Sequence, residues 1–352
     1  MNGTLLRAAA ALLLLPAVAQ AQSTVTVYGR VDAGISKEND GTTDLAGGVN
    51  SSDALQMRQN SGSRLGFRGV EDLGGGLKAQ FQIEHRFNVD TGASTSSTFW
   101  NGKSILALSG GFGTVSLGRD YTPAWYVGNE IDPFGFSTIG QMGSAAAVPG
   151  TVSRAANMVM YQTPSFNGVT SRLQYSFKET ATTGARDGMG FNVEYAQGPA
   201  YAALGYERPV RAGAEGAANP TVDVWILAGG WDFGTARVTA TFASGMSDPG
   251  EAAVDAGAAA ESKRRHIGLG AVVKVGSGEI LAMLSRLTDK TTATTDEPAN
   301  RATTVKLGLG YHHHLSKRTR LYVDLGRAKT SNSEIADLST RHGIDMGIRH
   351  NF

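Results

Sequence analysis

From Thr24 onward the chain alternates. Val25, Val27, Gly29, Val31, Ala33 and Ile35 are apolar or small, and the residues between them, Tyr28, Arg30, Asp32 and Ser36 among them, are polar. A period of two held for more than ten residues marks a strand with one oily and one wet face. Leu77, Ala79, Phe81, Ile83 and Phe87 repeat the pattern against Lys78, Gln80, Gln82, Glu84 and Arg86. Similar segments occupy 169–178, 189–196, 236–242, 267–275, 305–311 and 321–325. The last one sets Ile344, Met346, Ile348, His350 and Phe352 against Asp345, Arg349 and Asn351. The polar faces carry full charges, which a soluble sandwich would have to bury at several kcal/mol each. A barrel with lipid outside and water inside has no such difficulty. Closure also gives the terminal strands the partners that they otherwise lack.

The punctuation alternates too. Seven short breaks fall at 72–75, 110–113, 164–168, 198–199, 232–234, 276–278 and 316–319. Eight longer polar stretches lie near 38–53, 88–98, 121–156, 179–188, 209–220, 246–263, 288–301 and 329–341. Together these predict an all-β chain: a transmembrane antiparallel β-barrel of about 16 strands, with short turns at one rim, long loops at the other and both termini on the short-turn side. The third loop, 121–156, is the longest, and loops of that size without structure are uncommon unless functional.

Composition narrows the setting. Arg7 precedes an apolar run from Ala8 to Leu15, and Ala19-Gln20-Ala21 supplies small residues for cleavage, so 1–21 reads as a signal peptide and 22–352 as the barrel domain. No later stretch approaches the ~20 apolar residues of a spanning helix. Without cysteine, backbone pairing and apolar burial must hold the fold. Basic and acidic residues balance beyond the signal, which argues against nucleic acid as a partner.

Ser63-Arg64-Leu65-Gly66-Phe67-Arg68-Gly69, the following Glu71 to Lys78, the run Phe112 to Arg119 and the terminal Gly347 to Phe352 resemble the general porins of β-proteobacteria, the neisserial and Burkholderia type. The resemblance implies a homotrimer in the outer membrane, in contact with its lipid and lipopolysaccharide. It also implies a third loop folded into the lumen as the pore constriction, and passive diffusion of small hydrophilic solutes and ions with anion preference. Carried over residue by residue, it places eyelet charges at Arg64, Glu84, Lys103, Asp132 and Arg154, and an assembly signal at Phe352. Parity independently turns Arg64, Arg68, Glu84 and Lys103 inward, and Arg30 and Arg58 join them as further lumen-facing basic residues. With Arg64 and Arg154 opposite Glu84 and Asp132, a transverse field with a basic excess follows. Strict parity leaves Arg119 on the outside unless a bulge intervenes.

The same residues bear on other chemistries. His312 and His314 share a face, which supplies two metal ligands at most, so the run His312 to His314 is read as a girdle of amphipathic rings at the membrane boundary, without a metal. No cofactor motif stands up: Gly102-Lys103-Ser104 lacks the upstream glycine and the helix of a phosphate-binding loop. Two other functions remain, a substrate-specific channel for an organic acid or phosphate-like anion and an outer-membrane barrel enzyme. Against the enzyme, no histidine sits in a local pattern with Ser and Asp.

Overall fold

A computed structural model describes residues 24–38, 54–142, 152–181, 185–210, 221–248, 261–292, 300–332 and 340–352. The expected signal segment, 1–21, lies outside these residues. Seventeen strand segments form one closed antiparallel sheet, β1 (Thr24–Glu38), β2 (Gln56–Arg58), β3 (Ser63–Gly74), β4 (Leu77–Phe87), β5 (Ser104–Gly110), β6 (Gly113–Tyr121), β7 (Arg154–Gln162), β8 (Val169–Ser176), β9 (Gly188–Gln197), β10 (Ala200–Arg208), β11 (Thr221–Asp232), β12 (Ala236–Asp248), β13 (Glu261–Val275), β14 (Gly278–Thr292), β15 (Asn300–His314), β16 (Thr319–Asn332) and β17 (Thr340–Asn351). The segments β2 and β3 pair end to end along β1, so the barrel has sixteen staves. It closes between β1 and β17, where Arg30 lies opposite Asn351 and Glu38 opposite Gly343.

The alternation sorts the two faces as charge requires. On β1, Asp32, Ser36 and Glu38 are buried inside while Val31 and Ile35 are exposed outside. The short turns use local devices. In one, the Asp72 carboxylate accepts a bond from the Gly74 amide at 2.9 Å, and Gly74 to Gly76 all have positive φ, which glycine adopts without a Cβ clash. The first and last strands both reach this rim, since Gly29 and Phe352 exchange backbone bonds of 3.0 and 3.1 Å, and the Asn351 amide bonds the Arg318 carbonyl of the last short turn.

Arg119 stays on the outer parity. The bulge falls on the facing strand: Gly118 to Asp120 spans two steps on β6, while their partners Met158 and Ala155 span three on β7. Asn157, at φ 52°, absorbs the extra residue. The Arg119 guanidinium turns back to the Asn101 carbonyl at 3.3 Å.

The described part of the third loop up to Met142 runs inside the barrel. It opens with a helix that sequence periodicity did not predict, α1 (Pro123–Ile131), within the loop rather than in its place. The Thr122 hydroxyl accepts from the Trp125 amide, and Pro123 occupies the first turn, where its missing N–H costs nothing. Ala124, Val127 and Ile131 pack on Ala203, Val224, Ile226 and Ala228 of β10 and β11. Beyond the helix the loop lies on inward-facing glycines: a Cβ at Gly308 would stand 2.1 Å from the Gly140 carbonyl, and one at Gly326 would stand 2.6 Å from that of Ile139. Hydrogen bonds pin it there, from the Ile139 amide to Asp345 at 2.7 Å and from Ser285 to the Met142 carbonyl at 2.9 Å. Gly308→Val should therefore lift the loop from the wall and expose it to protease while the barrel stays folded. Protection equal to that of wild type would contradict this seating.

Candidate functional site

Where the loop crosses the lumen it leaves a passage of about 700 Å³. The described residues lining it include seven arginines, Arg30, Arg64, Arg86, Arg154, Arg237, Arg320 and Arg349, and two carboxylates, Glu130 and Asp132. The arginines come from β1, β3, β4, β7, β12, β16 and β17, and the loop contributes Trp125, Asn129, Glu130 and 132–137. Strand pitch explains the set, because inward residues at one height on successive staves form a ring.

The ring is held rigidly. Tyr121 is sandwiched between Trp125, with ring centroids 3.7 Å apart and planes 5° apart, and the Arg154 guanidinium, 4.1 Å from its centroid. Its hydroxyl accepts from Arg154 at 2.5 Å and from Arg86 at 2.8 Å. Arg86 also bonds Glu84 at 2.7 Å, with Arg64 at 3.9 Å from the same carboxylate. Arg30 donates to Ser61 and Asn351, and Arg349 pairs with Asp32 at 2.9 Å. The wall carboxylates are thus engaged in holding arginines, and Asp32 and Glu84 are almost fully buried.

Of the eyelet residues expected from sequence, Arg64, Arg154 and Asp132 line the passage, as does Arg30. Glu84 and Lys103 are not among the lining residues. Lys103 bonds Asp120 and the Tyr126 hydroxyl at 2.9 and 3.0 Å, a local neutralisation that takes it out of the ring. Glu84 shares one wall with Arg64 and Arg154 instead of facing them, which corrects the expected opposition. Arg58 pairs with Glu38 at 2.6 Å nearer the long-loop rim, and Arg68 lies over the Tyr28 ring toward the short turns. Sequence reasoning missed Arg86, Arg237, Arg320, Arg349 and the aromatic clamp, although the parity of Arg86 and Arg349 already marked their faces as wet.

Asp132 is a clasp within the loop. Its carboxylate accepts from the amides of Phe134, Phe136 and Met142 at 3.2, 2.9 and 3.2 Å. Burial pushes this carboxyl up to about 6, with the three amide bonds and Lys306 pulling the other way. Because that value lies above the ordinary ~3.9, the folded loop holds the proton more tightly than the unfolded chain. Loop stability is then greatest in acid and declines as pH rises through about 6. Open-channel noise should be higher at about pH 7.5 than at about pH 5, and the reverse order would mean that the amide bonds dominate burial.

The histidine run divides between the faces, which corrects the girdle reading for two of its members. Inside, His312 is buried and bonds Asp324 at 3.0 Å, and His314 lies 3.4 Å from Glu279. Outside, His313 stands beside Tyr311 as a girdle residue would.

A family model described as Gram-negative porin matches residues 8–333. Outer membrane porin protein 32 of Delftia acidovorans is 34% identical, covering 98% of each chain. The major outer membrane protein P.IB of Neisseria lactamica is 28% identical over 96% of each. Among solved structures, the anion-selective porin from Comamonas acidovorans superposes with a TM-score of 0.75 at 30% identity, covering 94% of this chain and all of that one. OmpT of Vibrio cholerae, at 15% identity and a TM-score of 0.67, shares the fold. With a sixteen-staved barrel, a loop across its lumen and a ring of fixed charge around the remaining passage, the chain belongs to the Gram-negative porin family and forms a channel through the outer membrane.

Proposed function

We propose that the channel passes small hydrophilic anions in preference to cations. The observation that carries this reading is the lining of the passage, seven arginines against two carboxylates, one of which, Glu130, is paired with Arg237 at 2.8 Å. Fixed positive charge in a narrow aqueous passage with low-dielectric walls raises the local anion concentration and repels cations. The anion selectivity named for the Comamonas acidovorans porin agrees with this reading. The ring also carries a favoured route for carboxylates, since the guanidinium fork binds them through two bonds. In liposome swelling, an organic anion should enter faster than a neutral solute of equal size, and the neutral solute faster than a cation. Equal rates for all three would overturn the proposal. No reaction is assigned to any residue of the lumen.

The assembly is proposed to be a trimer. On the outer wall, Ala33, Ile35, Leu55, Met57, Met346 and Ile348 line a shallow apolar recess of about 830 Å³. Leu55 and Met57 are 69% and 63% exposed, and the small outward Ala33 lets a neighbouring wall approach. Cross-linking in native membranes should give trimers through this face, and monomers alone would count against it.

A further inference from the structure

We propose that the passage holds a binding site for aromatic carboxylates, with the ring of the ligand against Trp125 and Phe136 of the third loop and its carboxylate on the arginines of the wall. The inference rests on the anion reading and deepens it: that reading concerns the sign of the charge, this one the body that carries it.

The observation is apolar ring surface turned toward water in a lumen whose other wall is charged. Ala124, Val127 and Ile131 already seat α1 on the barrel wall, whereas Trp125, Tyr126, Asn129 and Glu130, on its other side, line the passage. Phe136 rests on the same apolar cluster and joins them from beyond the helix, its ring centroid 6.2 Å from that of Trp125 and its plane tilted by 59°. Both rings are half-buried, so each keeps part of its surface open to the passage. Aromatic surface beside a few fixed polar groups in a concave wall is the usual make-up of a small-molecule site.

The charged half of the site is close by. Trp125 covers one face of Tyr121 and the Arg154 guanidinium the other, so indole and cation are separated by the thickness of one ring. Arg86 reaches the same Tyr121 hydroxyl as Arg154, and Arg64 pairs across the ladder with Arg86. An arylcarboxylate bridges that separation. Its carboxylate accepts from a guanidinium fork through two bonds, and its ring meets the indole and Phe136 in offset or edge-to-face contact. An aliphatic carboxylate meets only the first demand and a neutral aromatic only the second.

The test uses the full mature protein in a planar bilayer in potassium chloride. The probes are benzoate, cyclohexanecarboxylate and benzamide, and the readout is the concentration of each that halves the ionic current. The two acids carry the same charge, and the saturated ring is the more hydrophobic, so burial alone would favour cyclohexanecarboxylate. Benzoate should instead halve the current at about fivefold lower concentration, the effect of one good aromatic contact, and the neutral benzamide should not block at that concentration. Trp125→Leu and Phe136→Leu should each weaken benzoate until it lies within about twofold of the saturated acid. Equal block by the two acids in wild type, block by benzamide at the benzoate concentration, or a preference that survives both substitutions would each overturn the site. So would a variant that strengthens cyclohexanecarboxylate to the level of benzoate, because the width of the passage would then be the discriminator. The zero-current potential of the same wild-type channel reads the anion preference separately, so chloride preference with equal block by the two acids would sink this site and leave that reading intact. Should neither variant fold, the three wild-type probes still decide.

Discussion

In a potassium chloride gradient, Arg64→Glu should move the reversal potential of the open channel strongly toward cations. The substitution changes the charge of the passage by two units and sets a second carboxylate beside Glu84, whose nearest oxygen lies 3.9 Å from the Arg64 guanidinium. At ~8 Å from a passing ion and an effective dielectric near 20, each unit of charge is worth about 2 kcal/mol before screening. Allowing for a Debye length of ~10 Å at 0.1 M salt, the chloride-to-potassium permeability ratio should fall roughly tenfold. Arg264→Glu is the companion variant. Arg264 pairs with Asp289 near the long-loop rim and is not among the residues lining the passage, so its reversal should move the potential far less. Equal shifts from the two variants would mean that selectivity is set by the vestibule and not by the arginine ring.

Deleting Phe352 should lower the yield of folded barrel about fivefold or more, with little change in the conductance of those channels that form. The two backbone bonds between Gly29 and Phe352 are the last rungs of the closing ladder between β1 and β17. The Phe352 ring covers Gly29 so closely that a Cβ there would stand 2.4 Å from it. Removing it takes away the final pair of a seam that no turn supports, while the nearby ring members Arg30 and Arg349 keep their own partners, Asn351 and Asp32. The proposed role of this residue as an assembly signal adds a cellular arm. If insertion in cells falls by more than refolding in detergent, the residue is read by the assembly machinery as well as used for closure. Unchanged yield in both settings would remove both roles.

Much of the barrel was legible because each stave reports its two environments in alternate residues. Each of the seven short breaks and eight long stretches spans a junction between consecutive staves, although several overrun it: 288–301 takes in the last five residues of β14. The alternation is least clean on β11, where Val224, Trp225, Ile226, Leu227 and Ala228 form a continuous apolar run, and on β14, where Leu281 and Met283 face inward. The third loop is the reason: α1 and Met142 cover those inner faces, so apolar residues point into the lumen as well as out to lipid. A broken alternation inside a barrel is therefore a sign of the surface on which an internal loop rests. The helix itself was hidden because its buried stripe, Pro123, Ala124, Val127, Gly128 and Ile131, is too short a run to declare a period.

The charge ring was legible in part. Parity separated wet faces from oily ones, but it carries no information on height along the barrel axis. Arg64 and Arg68 share a face two pleat repeats apart, and only Arg64 lines the passage. Nor does parity say which charges are already neutralised, as Lys103 is by Asp120. Arg320 and Arg349 reach the ring because the shear of the barrel brings the last staves level with the first, a relation that register alone supplies.

The central claim is that a basic ring in the lumen sets the sign of selectivity. Its most direct test is the zero-current potential of the purified protein in a planar bilayer across a potassium chloride gradient at about 0.1 M, repeated near 1 M, where the Debye length falls to ~3 Å. The arrangement of Arg30, Arg64, Arg86, Arg154, Arg320 and Arg349 around the passage predicts that chloride permeates better than potassium at the lower salt and that the preference weakens at the higher. A channel selective for potassium at 0.1 M would contradict it.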